Sequence, residues 1–143
     1  MPPQPRAVMD TNVLYAALRS STGASHEVLR RLRAGEWTLL LSNTVVTEYE
    51  EILQREAGEL GLNPAEIGPL LDDLCLLAER HPRLEPREPM LADADDEAFA
   101  QLAATTKADA LLTHNLAHYE PARRRGIPVV TPRDFLGTLR ANA

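Results

Sequence analysis

The sequence predicts an α/β domain in which helices cover both faces of a parallel sheet. Short apolar runs that are typical of strands alternate with longer segments of helical periodicity, as in strand–helix–strand units. The strand runs are continuously apolar rather than alternating, which favours parallel strands buried on both faces. The chain has 143 residues, with no internal repeat and no long linker. We therefore predict one domain over 1–143, with residues 1–5 as a flexible tail.

The first half of the chain is predicted to contain two strands and three helices. Residues 7–9 form a short apolar run, and a helical pattern follows over 12–19. A second helix over 25–34 begins at a serine that can cap it and stops before a glycine. The apolar run 37–41 predicts a buried strand, and a serine or an asparagine caps the next helix, over 43–57.

The second half is predicted to contain two helices, two strands and a closing helix. A helix over 63–80 starts with an asparagine cap, a proline and a glutamate, although its internal Gly-Pro pair should kink or delay it. The proline- and charge-rich segment 81–91 is predicted to be a connection. The remaining elements are, in order, a helix that Asp93 or Asp95 opens and that runs to Lys107, strands over 110–113 and 127–130, and a helix that starts at 131.

Composition excludes several classes of protein. The single cysteine, Cys75, excludes an intramolecular disulfide framework and a cysteine-based zinc module. The only lysine, Lys107, has no P-loop sequence around it, and neither a G-x-S-x-G nor a G-x-G-x-x-G motif is present. Fifteen basic and twenty-one acidic residues give a net charge of −6, which is unfavourable for holding phosphates by side chains alone. Any phosphate chemistry must therefore use carboxylates and a metal ion.

The sequence also predicts where the protein acts. No apolar run is long enough to cross a membrane, so no membrane partner is expected. The N-terminal segment is proline-rich and lacks the apolar stretch of a signal peptide. We therefore expect a cytoplasmic protein.

Oxygen-bearing side chains cluster at three points of the predicted fold. The first strand leads into Asp10-Thr11-Asn12, the strand near 110 leads into Thr113-His114-Asn115, and Asp93-Ala94-Asp95-Asp96 opens a helix. Ligands of parallel α/β sheets bind outside the carboxyl ends of the strands. Carboxylate and carbonyl oxygens are the ligands that Mg²⁺ and Mn²⁺ prefer. The pattern predicts a metal site, although the same acids can also serve as helix caps.

A further carboxylate is expected from the helix over 43–57. Its apolar residues define one stripe, and Glu51 lies nearly opposite to it. Glu48 and Glu50 lie on the two borders of the stripe, where a carboxylate can be partly buried and still reach a cleft. Periodicity does not choose between them.

Four motifs together resemble those of the PIN (PilT N-terminus) domain. They occur in the family's order and spacing, and a Thr-Pro-Arg-Asp-Phe-Leu sequence at 131–136 follows them. The motifs are Val8–Leu14, Ser42–Leu53, Asp93–Asp96 and Leu112–Asn115. More narrowly, the chain is similar to the branch of toxin components of toxin–antitoxin systems. The resemblance implies a three-layer, Rossmann-like fold with a mostly parallel central sheet and a metal-dependent ribonuclease activity.

The resemblance also implies which acids are catalytic. It makes Asp10 the first acid, Glu48 the second and Asp96 the third, each a ligand to Mg²⁺ or Mn²⁺. Asp93 matches an acid that usually precedes the third by three residues. The family alignment thereby selects Glu48 over Glu50.

Other positions are implied to support this metal site. Asn115 falls where many members have a fourth aspartate, so it keeps an oxygen ligand but lacks the charge. Thr11, Asn12 and Thr113 match polar positions around the site. From the residues themselves, the run Arg123-Arg124-Arg125, predicted in a loop between strands, could follow an RNA backbone or form a solvated face of ion pairs.

The function that follows is a metal-dependent endonuclease of single-stranded RNA. The ion would lower the pKa of a bound water and neutralise charge on the scissile phosphate. The resemblance implies 5′-phosphate and 3′-hydroxyl products, a cognate antitoxin, and a homodimer or a larger homo-oligomer. The alternative is a catalytically weak or inactive PIN-like domain that binds RNA or a protein. An aspartyl-phosphate protein is disfavoured, because Lys107 precedes a late strand instead of following it.

Overall fold

Five parallel strands form the centre of the molecule, in the order β3-β2-β1-β4-β5. The structure is a computed structural model, and it describes residues 4–141. The strands are β1 (Arg6–Met9), β2 (Thr38–Leu41), β3 (Glu79–Arg80), β4 (Ala110–Leu112) and β5 (Val129–Val130).

Helices connect and flank the strands. They are α1 (Thr11–Arg19), α2 (Ala24–Arg33), α3 (Asn43–Arg55), α4 (Ala57–Leu60), α5 (Pro64–Leu77), α6 (Ala94–Thr106), α7 (Glu120–Arg124) and α8 (Pro132–Ala141). A 3₁₀ helix, Leu116–Tyr119, precedes α7. None of the helices described within 4–141 combines the length and apolar content needed to cross a membrane.

The central strands are buried on both faces. Ala7, Val8 and Met9 are consecutive in β1, and none of them is exposed to solvent. Successive side chains of a strand point to opposite faces of the sheet, so both faces must be covered. The predicted parallel sheet between helices is therefore confirmed.

Two aromatic contacts fix helices to this sheet. Trp37, just before β2, donates a hydrogen bond from Nε1 to the carbonyl of Val28 in α2 over 2.9 Å. Its ring also meets Phe135 of α8 edge to face, with centroids 5.3 Å apart. Elsewhere Tyr49 of α3 packs against Phe99 of α6, and its hydroxyl donates to the carbonyl of Met9. The last bond holds α3 over the end of β1.

The segment after α5 differs from the sequence prediction. The helix predicted over 63–80 starts at Pro64 and continues through Pro69 to Leu77, so the expected delay does not occur. Its last predicted residues instead form β3, which pairs with β2. Glu79 forms an ion pair with Arg6 of β1 at 2.5 Å, and this tertiary contact favours the extended conformation.

Two smaller differences concern the first half of the chain. The helix predicted over 43–57 divides into α3 and the short α4. Of the predicted tail, residues 1–3 lie outside the described residues, and the carbonyl of Pro5 accepts a hydrogen bond from the N–H of Thr38 over 2.9 Å.

The connection before α6 is held to that helix by one carboxylate. Oε1 of Glu97 accepts hydrogen bonds from the backbone N–H groups of Met90 and Leu91, each over 2.7 Å. The amide of Gln101, one turn later, donates to the other oxygen. Glu97 thereby fixes the position of Met90 and Leu91 relative to the first turn of α6.

We expect Glu97→Ala to lower the free energy of unfolding by about 1–3 kcal/mol, because it leaves two partly buried N–H groups without an acceptor. Glu97→Gln keeps one oxygen acceptor and should cost less. Urea denaturation of both variants measures the difference, with Glu88→Ala, an exposed residue of the same connection, as the control. Equal stability of Glu97→Ala and wild type would show that the anchor contributes nothing.

Candidate active site

The sheet changes its winding direction between β1 and β4. From β1 the chain proceeds to β2 on one side, whereas from β4 it proceeds to β5 on the other. Such a switch point leaves a crevice outside the carboxyl ends of the two strands. Asp10 follows β1 and Thr113 follows β4, and the N–H of Asp10 bonds to the carbonyl of Leu112 over 2.9 Å. Both polar residues are thus placed at the crevice by the strands themselves.

Asp10 is a buried carboxyl group with several donors around it. Only 6% of the residue is exposed. Its Oδ2 accepts hydrogen bonds from the hydroxyl of Thr113 over 2.8 Å and from the hydroxyl of Tyr119 over 3.1 Å. Burial raises the pKa of Asp10, while these bonds and those from the N–H groups of Thr11 and Asn12 oppose the rise without cancelling it.

Asp96 lies on the other side of the Tyr119 hydroxyl. The distance from that hydroxyl to Oδ1 of Asp96 is 3.4 Å, so one phenol contacts both carboxyl groups. Burial raises the pKa of Asp96, and the negative charges of Asp10 and Asp93 raise it further. His118, 3.5 Å from Oδ2, partly opposes this rise. Two sequence-predicted acids are therefore brought together at the crevice.

Tyr119 is a residue of the site that the sequence analysis did not predict. Its side chain is fully buried, and its pKa is raised by burial and by the two neighbouring carboxylates. Because a phenol carries a single proton, it can donate to only one of the two acids at a time. The available signal was a tyrosine shortly after a strand end, since a buried tyrosine usually has a polar partner.

The structure distinguishes Glu48 from Glu50. Glu48 is half-buried, and its pKa is raised by burial and then by the charges of Asp95 and Glu51, with a smaller contribution from Asp93. Glu50 is exposed. Glu48 therefore faces the acids at the start of α6, which periodicity alone could not decide.

Asp93 has the capping contact that the sequence left open as an alternative. Its Oδ1 accepts a hydrogen bond from the N–H of Asp95 over 2.8 Å, at the N-terminus of α6. Its charge also raises the pKa of both Asp96 and Glu48. Asp93 thus adds to the negative potential of the site while it caps the helix.

Thr113 organises the loop after β4. Its hydroxyl donates to Asp10 and accepts from the N–H of Asn115 over 3.0 Å and from the amide of Asn12 over 3.4 Å. Asn115 itself is exposed. The hydroxyl of Thr11 is buried and has no hydrogen-bond partner among the described residues.

The donor set has the chemistry of a hydrated divalent-cation site. No three His, Cys, Asp or Glu side chains within 4–141 are already arranged to enclose a metal ion. Mg²⁺, however, usually takes one or two carboxylates and keeps several waters. Asp10 and Asp96 supply two hard oxygen donors. Burial is the main cause of the raised pKa of both groups, and the charges of Asp10 and Asp93 add to the rise at Asp96, so a cation beside these carboxylates would offset the cost of ionising them. The residues present therefore fit such an ion.

The arginine run is placed differently from the prediction. Arg123 and Arg124 lie in α7 and Arg125 follows it, so the run belongs to a short helix instead of a loop. All three are exposed. Glu120, one turn earlier, forms ion pairs with Arg123 at 3.6 Å and with Arg124 at 3.8 Å.

Comparison with known families identifies this arrangement. A family model described as "PIN domain" matches residues 6–117, which include both strand ends and the start of α6. The chain belongs to the PIN domain family. The resemblance found in the sequence motifs is thereby confirmed for the family, and no curated protein matches the chain.

Solved structures share the fold of this PIN domain. One is a domain of a functionally unknown protein from Methanocaldococcus jannaschii DSM 2661, 18% identical, with a TM-score of 0.54; the match covers 89% of this chain and 90% of that chain. Another is VapBC2 from Rickettsia felis bound to a DNA fragment from its promoter, 14% identical, with a TM-score of 0.60; the match covers 88% and 98%. At these identities the two matches establish the fold.

We expect Asp10→Asn to stabilise the metal-free PIN domain at pH 7. The folded protein raises the pKa of Asp10, so its contribution to stability is complete below the unfolded pKa of about 4 and is lost as pH rises through the folded value. The variant avoids this loss. Urea denaturation in EDTA should show a gain at pH 7 that shrinks towards pH 4, whereas Glu50→Gln should show none. A gain that is independent of pH would contradict this explanation.

Proposed function

We propose that this PIN domain is a metal-dependent endonuclease of single-stranded RNA and the toxin component of a toxin–antitoxin pair. The observation that carries the proposal is the pair of carboxyl groups, Asp10 and Asp96, on either side of one phenol at the switch point of the sheet. Glu48 of α3 lies near Asp93 and Asp95 at the start of α6, the helix that carries Asp96. Family membership supports nuclease chemistry, and the sequence motifs support the toxin branch.

Asp10, Glu48 and Asp96 would hold Mg²⁺ or Mn²⁺, with Asp93 and Asn115 as further oxygen donors. The ion, when bound, supplies charge neutralisation at the scissile phosphate and a more acidic water. The protein's own side chains orient the carboxylate of Asp10. Thr113 and Tyr119 donate to Oδ2 of Asp10 and leave Oδ1 outside those two bonds.

The charge distribution of the domain favours binding of RNA only when a cation is bound at the site. The net charge of −6 opposes a polyanion, and the acids of the site do so locally. We assign the exposed Arg123, Arg124 and Arg125 to contacts with RNA phosphates beyond the site. A cognate antitoxin and a homodimer or larger homo-oligomer complete the proposed partners, and the proposed location is the cytoplasm.

Glu48→Gln should abolish cleavage of a single-stranded RNA in Mn²⁺, because it removes one of the three carboxylates proposed to hold the ion. Its melting temperature should be unchanged or slightly higher, since crowding of charge is relieved. Glu50→Gln, on the same helix and exposed, is the matched control and should cleave normally. If Glu50→Gln is inactive and Glu48→Gln is active, the assignment at this helix is wrong by two residues.

Asn115 favours the second candidate function, a weak or inactive PIN domain that binds RNA or protein. An amide there lacks the charge that an aspartate would give, and the described side chain is exposed. The two candidates differ in metal dependence. A catalytic domain binds a divalent ion and is stabilised by it, by about 2.7 kcal/mol at 100 times the dissociation constant.

Asn115→Asp tests whether the side chain at this position contributes to binding of the ion. The added carboxylate should tighten binding of Mn²⁺, because affinity grows with ligand charge, and should lower the stability of the metal-free protein. Calorimetric titration with Mn²⁺ and melting curves in EDTA measure both effects, alongside RNA cleavage at limiting Mn²⁺. Equal affinity in variant and wild type would place Asn115 outside the metal site.

A further inference from the structure

A cavity of about 390 Å³ lies between α1, α3 and α4. Thr11 and Asn12, which directly follow Asp10, form one wall. Arg55 forms part of the opposite wall and is close enough to Glu48 to oppose the rise in its pKa. The cavity therefore adjoins Asp10 through the two residues that follow it, so a group bound there would lie beside a phosphate held at the proposed cleavage site.

The interior of the cavity combines an apolar wall with two carboxylates. Ile52 and the ring of Tyr15 supply the apolar surface. The hydroxyl of Tyr15 donates to Oε2 of Glu59 over 2.7 Å, which orients that carboxylate and leaves Oε1 outside this bond. Glu56 contributes the second carboxylate, and its Oε1 is 3.4 Å from Nε of Arg55.

These charges decide which part of a nucleotide fits. The lining carries two carboxylates and one guanidinium, and a second guanidinium, that of Arg19, is 6.0 Å from the centroid of the Tyr15 ring. The cavity therefore has no excess of positive charge to hold a phosphate, whereas a neutral base with N–H donors finds acceptors. Unstacked RNA bases are commonly bound by stacking on aromatic rings or guanidinium planes and by hydrogen bonds to their Watson–Crick edges. Tyr15 offers a ring, and Arg55 offers a guanidinium on a side chain that is 68% exposed.

We propose that this cavity binds the base next to the scissile phosphate and selects guanine through Glu59. Guanine presents two adjacent donors, N1–H and the N2 amino group, which match the two oxygens of one carboxylate. Adenine, cytosine and uracil present no such pair on the edge they would offer. This inference rests on the proposed ribonuclease function and adds its base preference.

Binding of free nucleosides tests the cavity without any cleavage. Guanosine, titrated into the metal-free wild-type protein, should shift the amide NMR signals of Thr11, Asn12 and Glu59. Inosine keeps N1–H but lacks the N2 amino group, so it should shift them less, and adenosine and uridine should not. If guanosine shifts none of these signals, the inference is overturned. It is also overturned if N-acetylarginine amide shifts them and none of the nucleosides does, because the cavity would then bind a protein side chain.

Cleavage mapping tests the base preference. Wild-type protein in Mn²⁺ should cut a single-stranded RNA of mixed sequence beside guanine, and Glu59→Gln should lower that preference about tenfold, the worth of one bidentate base contact. Cleavage at other bases should be unchanged. Tyr15→Phe keeps the ring but frees Glu59, so it should lower the preference less, and Glu50→Gln serves as the control.

The two tests separate this inference from the function on which it rests. A guanosine response in a protein that cleaves no RNA supports the cavity and contradicts the proposed nuclease. Cleavage without base preference, or a preference that persists in Glu59→Gln, overturns the inference and leaves the nuclease intact.

Discussion

An ionised carboxyl group that is buried in a protein interior is costly unless donors or a cation surround it. Asp10 is in that position, because β1 enters the centre of the sheet and ends inside the molecule. Much of the surrounding structure supplies what this group requires. The loop after β4 brings Thr113, the 3₁₀ helix brings Tyr119, and the first turn of α1 brings backbone N–H groups. These donors do not cancel the cost of burial, which is why the site fits a cation.

On the proposed function, the same charge couples the ion to the RNA. Asp96 lies near Asp10 and Asp93, and Glu48 of α3 lies near Asp93 and Asp95. Burial raises the pKa of Asp96 and Glu48, and the charges of these neighbouring carboxylates raise them further. A polyanion approaching this cluster is repelled until a cation is present, so either ligand should improve binding of the other. The domain can therefore be acidic overall and still act on RNA.

The sequence was sufficient to predict elements whose signals are local. Continuous apolar runs predicted β1, β2 and β4, and the asparagine cap at Asn63 predicted the start of α5, where both hydrogen bonds of the capping box are present. Strand ends then located Asp10 and Thr113 at one edge. Features that depend on tertiary contacts were not predictable: β3 has two charged residues and no apolar pattern, and Tyr119 acquires its partners only when α6 and β1 meet. Glu48 and Glu50 are equivalent on a helical wheel, so periodicity did not distinguish them; the family resemblance selected Glu48, and in the structure Glu48 lies near the acids at the start of α6.

Both edges of the sheet end in strands of two residues. Glu79 and Arg80 of β3 are charged, and at the other edge β5 begins directly after Pro128, which has no N–H to offer a neighbouring strand. Short edges of this kind resist the addition of a foreign strand. β-Augmentation, in which a peptide extends a sheet by backbone hydrogen bonds, therefore has little to build on here. A protein that regulates this domain must instead recognise side chains, on the helices or at the carboxyl edge of the sheet, and its specificity can evolve without disturbing the fold.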